Sequence, residues 1–384
     1  MKIKGVNLGS WLLMEGYILG GRNIAECSFK EQFKKIYGKN ELEKFEASFR
    51  NTFIREIDFK NISRIGANSI RVPFNYRLIE KSPYSYFKEG FRYLEKVFRL
   101  AGKYKLGVIL DLHAAAGSQN YDWHADSKGK ALLWDRKEYR RRTFALWEVI
   151  VDRFKDEKAL IGYDLLNEPV MGGRRVTILK KFYQELIERI RAIDKKSWIF
   201  LEGNVWAQQI DFLKDLINDN ISISIHAYHP LNYTFNFTPF SRFPGKIDNV
   251  GWDKKKIYKY LEPYYKFSCK NKVPIFVGEF GINWRGGHWG ELKWLEAILS
   301  AFGDFGFGYT YWTYKSIARN VFPDGLYQAI SNSKYINREG PVYGWETYLD
   351  FWSKEKKDIV NFWRTENFTP NKELIAMLQK FFRK

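Results

Sequence analysis

The sequence predicts a closed (β/α)₈ barrel, and two observations carry that reading. Eight short apolar runs recur along the chain, and longer amphipathic segments alternate with them, the pattern of a repeated strand and helix that builds a parallel sheet. No Pro/Ser-rich linker or internal repeat divides the 384 residues, which favours one domain with elaborated loops, 1–384, over several. The first run, "IKGVNLG" (3–9), is followed by surplus sequence at 20–52 and a helical pattern near 53–65. "ANSIRVPF" (67–74) leads to a helix near 89–105, and "LGVILDLH" (106–113) to one near 138–155. "LIGYDLLNEP" (160–169) precedes 175–194, "WIFLEGN" (198–204) precedes 208–218, and "ISISIHAY" (221–228) precedes 254–270. "PIFVGEF" (274–280) precedes 290–305; "FGYTYWTY" (307–314) precedes a second surplus region, 315–370, and a last helix at 371–383. Both surplus regions follow strands, so both are expected at the face where barrel enzymes keep their sites.

Composition narrows the function. Hydrophobic residues at 45% and charged residues at 28% suit a large core under a charged surface and exclude a disordered chain. Aromatics reach 18%, more than packing alone needs, and some are expected to line a binding surface. The formal net charge of +19 raises the question of a polyanionic partner. Lys and Arg are dispersed, however, and the densest clusters, "DRKEYRRR" (135–142) and "WDKKKIYKY" (252–260), read as solvent faces of helices, so no nucleic acid is expected. No run reaches the roughly 18 apolar residues of a membrane span. The N-terminus enters a strand-like segment directly, so the expected location is the cytoplasm. Cys27 and Cys269 form no metal-ligand pattern and allow at most one disulfide.

The chemistry gathers at the strand ends. Arg71, His113, Asn167, Glu168, His226, Tyr228, Glu279 and Trp312 come from six of the runs, and a barrel converges them on one opening. Glu168 and Glu279 lie on the fourth and seventh runs. Cleaving a glycosidic bond takes one carboxyl group to protonate the leaving oxygen and a second to attack the anomeric carbon or activate water there. One strand-end glutamate alone is as readily a salt-bridge partner; two, among His, Tyr, Arg and Trp, point to catalysis. Arg71 is expected to keep Glu279 ionised, and a partly apolar setting to raise the pKa of Glu168 into the range of a general acid. No cofactor is expected: the chain has no HExxH, GxSxG, GxGxxG or GxxxxGK motif. His226 and His229, three apart on a strand, point to opposite faces. Trp123, Trp134, Trp206, Trp284, Trp289 and Trp345 read as either core residues or sugar platforms.

Over most of its length the sequence resembles glycoside hydrolase family 5. The segments "GVNLGSWLLMEGY", "IRVPFNY", "DLHAAAGSQNYDWH", "YDLLNEP", "FLEGNVW", "HAYHP", "VGEFG" and "YWTYK" resemble its exo-β-1,3-glucanase branch. The resemblance implies Glu168 as acid/base and Glu279 as nucleophile of a retaining double displacement. Asn167 would contact the sugar 2-hydroxyl, Tyr228 would approach the nucleophile, Arg71, His113 and His226 would support the site, and Trp312 would lie under the sugar. Glu15 and Asp122 would hold the terminal sugar's hydroxyls and favour release of terminal glucose from β-1,3-linked oligosaccharides. The chain departs from that branch at Ala114 and Ala116, where glycine and proline are expected. A β-mannosidase, endo-β-1,4-glucanase or mannanase would use the same mechanism; a non-catalytic carbohydrate-binding protein is the rival class.

Overall fold

The computed structural model describes residues 2–172, 175–317, 321–329 and 347–383. Each of the eight apolar runs holds one barrel strand: β1 (Lys4–Asn7), β2 (Ser69–Asn75), β3 (Gly107–Ala114), β4 (Leu160–Asp164), β5 (Trp198–Glu202), β6 (Ile221–His226), β7 (Ile275–Phe280) and β8 (Gly308–Tyr311). They pair in parallel in chain order, and β8 closes on β1. Period-two alternation then sorts the interior into layers. Ile3, Ile109, Phe200 and Phe276, from alternate strands, pack into an apolar floor. Two residues further along β3 and β5 come Asp111 and Glu202, and all four of Arg71, Asp111, Asp164 and Glu202 are buried. The barrel therefore turns from hydrocarbon to charge within one layer, directly beneath the strand ends.

Ten helices of nine residues or more pack around this barrel among the described residues: α1 (Glu26–Tyr37), α2 (Lys39–Thr52), α3 (Glu56–Arg64), α4 (Lys88–Lys103), α5 (Lys137–Phe154), α6 (Val176–Ile193), α7 (Lys254–Asn271), α8 (Glu291–Phe305), α9 (Tyr348–Phe362) and α10 (Lys372–Phe382). Each follows from an apolar stripe; α4 buries Phe91, Leu94, Val97, Phe98 and Ala101, the i, i+3, i+4 spacing of one face. Caps fix several starts, as where Asp253 accepts from the Lys256 N–H (2.7 Å) and Asn371 from the Leu374 N–H (3.1 Å). The helix expected at 208–218 is instead a 3₁₀ segment, Asp211–Leu216. It buries only Leu213 and Leu216, a three-residue spacing that matches the tighter turn.

The first surplus region folds into the hairpin α1–α2, turning at Gly38 with φ 84°. Its rings meet those of α9 and the residue that ends it: Phe33 lies 5.8 Å from Trp352, and Phe45 and Phe49 lie 5.4 and 5.0 Å from Trp363. The two insertions thus share a satellite aromatic core, which gives part of the aromatic surplus a packing role. Trp134 and Trp284 are likewise buried, while Trp345 lies outside the described residues. Cys27 is buried and Cys269 exposed, and both are free thiols. No helix among the described residues is long and apolar enough to cross a membrane.

Candidate active site

Strand β4 ends at Asp164, yet its neighbours carry the chain four residues further. The Leu165 N–H donates to the Phe200 carbonyl (3.2 Å) on one side and the Asn167 N–H to the Leu112 carbonyl (3.1 Å) on the other. Glu168 then adopts φ 46°, in the left-handed region that a residue with a Cβ enters only under constraint. Side chains supply that constraint. Glu202 Oε2 accepts the Glu168 N–H at 2.6 Å, Asn120 donates to the Glu168 carbonyl at 2.9 Å, and Gln119 donates to the Asn167 carbonyl at 2.8 Å. The Glu168 carboxyl is thereby aimed over the barrel mouth instead of into the wall.

Glu279 arrives from β7. Before it, Gly278 leaves room for the imidazole of β6, since a Cβ there would stand 3.1 Å from His226 Nε2 and 3.0 Å from Ser224 Oγ. Tyr228 OH donates to Glu279 Oε2 (2.8 Å) and Arg71 Nη1 to Oε1 (2.9 Å). A carboxylate oxygen of Glu168 and one of Glu279 lie within 4.8 Å of each other, with a ring nitrogen of His226 as near to both.

Beneath them Arg71, 0% exposed, holds the polar layer together. Its guanidinium donates to Asp164 (2.9 Å), Glu202 (3.0 Å), Asn167 (2.9 Å) and Asn7 (3.2 Å) as well as Glu279, and lies 3.1 Å from Asp111. Asp111, Asp164 and Glu202 would otherwise offer three ligand atoms to a metal ion, and the guanidinium is the cation among them. So many acids around one arginine cannot all ionise. Burial pushes Asp111 up to about 8 and Asp164 well above the usual carboxylate range, both against the pull of Arg71. Asn167 gives its oxygen to Arg71 and its amide group to His113 Nε2 (3.3 Å), so His113 carries its proton on Nδ1 and donates to Asp111 (2.7 Å). Burial holds His113 neutral, with a pKa lowered to about 3.

The proton expected on Glu168 resides elsewhere, which corrects the sequence-based expectation. Burial raises the Glu168 pKa, but His226 Nδ1 donates to Oε1 at 2.6 Å and His124 Nε2 lies 3.5 Å from Oε2, and these two rings hold it down to about 2. His226 is the complement. Burial opposes its charge, yet Glu202, Glu279 and Glu168 surround the ring and lift its pKa well above the ordinary value. His226 Nε2 is 3.2 Å from Glu202 Oε1, an ionic contact without hydrogen-bond alignment. His124 is half-buried; desolvation opposes its charge, but Asp122 and Glu168 outweigh it and raise its pKa to about 9.

Over this layer opens a cavity of about 570 Å³, in the size range of small-molecule sites. Of the residues singled out from sequence, Glu15, His113, Asp122, Glu168, His226, Tyr228, Glu279 and Trp312 line it, as do Trp123 and Trp206 of the tryptophans left open between core and platform. Arg71 and Asn167 do not; both lie fully buried below, where Arg71 donates to Glu279 and Asn167, expected at a sugar hydroxyl, instead accepts from Arg71. Trp312 stacks on His113 (5.4 Å, 13°) and donates its indole N–H to Tyr17 OH. Asp122 accepts the Trp206 indole N–H at 2.8 Å. The α1–α2 hairpin contributes nothing to the lining, and the region after β8 contributes Phe322 and Pro323.

A family model described as cellulase (glycosyl hydrolase family 5) matches residues 31–317. The chain belongs to glycoside hydrolase family 5. Among relatives of this family 5 chain, the β-xylosidase of Phanerodontia chrysosporium is 25% identical over 380 residues, covering 95% of this chain and 75% of that one. Endoglucanase C of Acetivibrio thermocellus is 26% identical over 71% of this chain and 87% of its own. Glucan 1,3-β-glucosidase 3 of Schizosaccharomyces pombe is 25% identical over 88% and 74%. In fold, the chain is similar to the endoglucanase Cel5A of Thermotoga maritima, with a TM-score of 0.64 at 21% identity over 98% of this chain and 96% of that one.

The family 5 site contains residues that the sequence reading passed over. Glu202, Asp111 and Asp164 sit inside apolar runs at interior positions, where an acid needs a buried partner; that signal was available in "WIFLEGN", "LGVILDLH" and "LIGYD". His124 stands in the quoted "YDWH", whereas Gln119 and Asn120 carry no local signature. Glu202 touches the Glu168 backbone, His226 and Arg71 at once, so Glu202→Gln is expected to lower kcat about ten- to a hundredfold by loosening Glu168. It removes the foremost charge raising His226, so the alkaline limb of kcat/KM moves to lower pH. Loss of activity with an unmoved limb would mean that Glu202 acts only on stability.

Proposed function

We propose that this family 5 hydrolase is a retaining β-glycosidase that removes terminal glucose from β-1,3-linked gluco-oligosaccharides. The observation that carries the mechanism is the carboxylate spacing. Oxygens within 4.8 Å are closer to the roughly 5–5.5 Å separation of a nucleophile and acid/base than to the roughly 6.5–9.5 Å of an inverting pair. Glu279, with Tyr228 and Arg71 donating to it, attacks the anomeric carbon. His226 Nδ1, 2.6 Å from Glu168 Oε1, passes its proton through Glu168 to the leaving oxygen, which leaves Glu168 ionised and His226 neutral. Once Glu279 is esterified, one of the charges that kept His226 protonated is gone. Glu168 then takes a proton from water as that water's oxygen bonds to the anomeric carbon. The bond to Glu279 breaks, and the proton returns to the Glu168–His226 pair.

Support for a terminal sugar comes from Glu15. It is 2% exposed, lines the cavity, and its Oε2 has no hydrogen-bond partner among the described residues. Burial raises its pKa well above the carboxylate range against His124, and Glu279 and Glu168 add to the rise, so a protonated carboxyl there can both donate to and accept from sugar hydroxyls. Incubation with laminaritriose, cellotriose and mannotriose tests the substrate. Glucose released first from the non-reducing end of laminaritriose is the expected result; mannose release, or cleavage of cellotriose alone, would overturn the β-1,3-glucose reading and keep the two glutamates.

A further inference from the structure

The α1–α2 insertion lends no side chain to the cavity, yet its first two residues fasten the loops that carry Glu15, Asp122 and His124 into it. Glu15 stands on the loop after β1, and Asp122 and His124 on the loop after β3; β2 lies between those strands and ends at Asn75. At Asn75 both loops and α1 are tied together. Glu26, at the start of α1, accepts the Met14 N–H (3.2 Å) and the Asn75 amide (2.9 Å) on Oε2 and faces the Lys30 ammonium (2.5 Å) with Oε1. Asp126 accepts the Cys27 N–H (2.7 Å) on Oδ1, and on Oδ2 the same Asn75 amide (3.1 Å) and Arg77 Nε (2.9 Å).

The knot sits next to the residues it fixes. Met14 directly precedes Glu15, whose own N–H is held by Ser10 Oγ (2.8 Å). Asp126 comes two residues after His124 and adopts φ 54°, a left-handed turn that closes the segment carrying Asp122. His124 Nε2 in turn stands 3.6 Å from Asp122 Oδ2 and 3.5 Å from Glu168 Oε2, so a shift of this segment is felt at the acid/base. Each carboxyl of the knot meets donors on both oxygens, which an amide cannot reproduce. Glu26→Gln or Asp126→Asn turns an NH₂ group toward at least one donor in a buried place, and the loop it held is released.

We propose that Glu26 and Asp126 are positioning residues of the terminal-sugar pocket, through which the α1–α2 insertion fixes Glu15 and Asp122 against the sugar. This rests on the reading that those two acids hold the sugar's hydroxyls. Double-mutant cycles on kcat/KM test it in the full chain, with whichever of laminaritriose, cellotriose and mannotriose the wild type cleaves. Glu26→Gln and Asp126→Asn are each expected to lower kcat/KM about tenfold or more. In the Glu15→Gln background Glu26→Gln is expected to cost less than about threefold, as is Asp126→Asn in the Asp122→Asn background, because an acid already disabled has little left to lose by misplacement. Asn75→Ala, which removes the shared amide, repeats both cycles should either variant fold poorly. Equal costs in both backgrounds would make Glu26 and Asp126 supports of the fold alone and overturn the proposal. Undiminished kcat/KM in Glu15→Gln and Asp122→Asn themselves would instead overturn the reading of the pocket on which it rests.

Discussion

Replacing Glu279 with glutamine is expected to lower kcat by roughly 10⁴–10⁶-fold and to leave the fold intact. The amide keeps the size of the carboxyl, and Arg71 retains Asp111, Asp164 and Glu202 as partners, so the layer beneath the site does not lose its only counter-charge. What is lost is the proposed nucleophile. The smaller variant Glu279→Gly opens space for an external anion, and azide is expected to restore turnover of an activated β-glucoside with the α-glycosyl azide as product, because the anion then attacks in place of the side chain. For Glu168→Gln the loss is expected to depend on the leaving group. A dinitrophenyl glucoside, which departs without a proton, forms the intermediate at a nearly normal rate, whereas an oligosaccharide is scarcely cleaved. Azide added to Glu168→Ala is expected to give the β-glycosyl azide by attacking the intermediate. A variant at either position with near-normal activity on oligosaccharides, or azide products of the opposite configuration, would remove that residue from its role.

Arg71→Met is expected to be the most damaging change for stability. The guanidinium is fully buried among four acids, and methionine leaves Glu202 and Glu279 without their shared cation beneath the cavity. Breaking a buried pair of this kind costs about 3–5 kcal/mol, enough to unfold a marginally stable domain. Arg71→Lys keeps the charge but not the planar fork that reaches Asn7, Asp164, Asn167, Glu202 and Glu279 together, so it is expected to fold with reduced stability and with most activity lost. Thermal unfolding followed by circular dichroism measures both. An unchanged midpoint in Arg71→Met would mean that the acids beneath the site carry enough protons to need no cation.

The barrel was legible because strands and helices write different periods, and each of the eight apolar runs contains its strand. The convergence on one mouth was legible for a related reason: Glu279, His226 and Tyr228 sit at or just beyond a strand end, and the barrel dictates where such residues point. Three features were not. The α1–α2 hairpin carries charged residues densely enough to read as a loop, and its packing partner, α9, lies more than three hundred residues away. Glu202, Asp111 and Asp164 are single acids within apolar runs, and only three-dimensional closure shows that all three face one arginine. The proton on His226 follows from distances of 2.6 to 3.5 Å to three acids on separate strands or strand ends, a proximity with no trace in local sequence. Glu168 lies four residues beyond the end of β4, and its carboxyl sits in a field of imidazoles that its motif does not announce.

The central claim is that Glu168 and Glu279 act by double displacement, and the stereochemistry of the first product tests it most directly. Proton NMR of laminaritriose hydrolysis, recorded before mutarotation of the released sugar, distinguishes the two anomeric signals. β-Glucose appearing first is the result that two inversions at one carbon require; α-glucose appearing first would mean a single displacement by water and would contradict the mechanism.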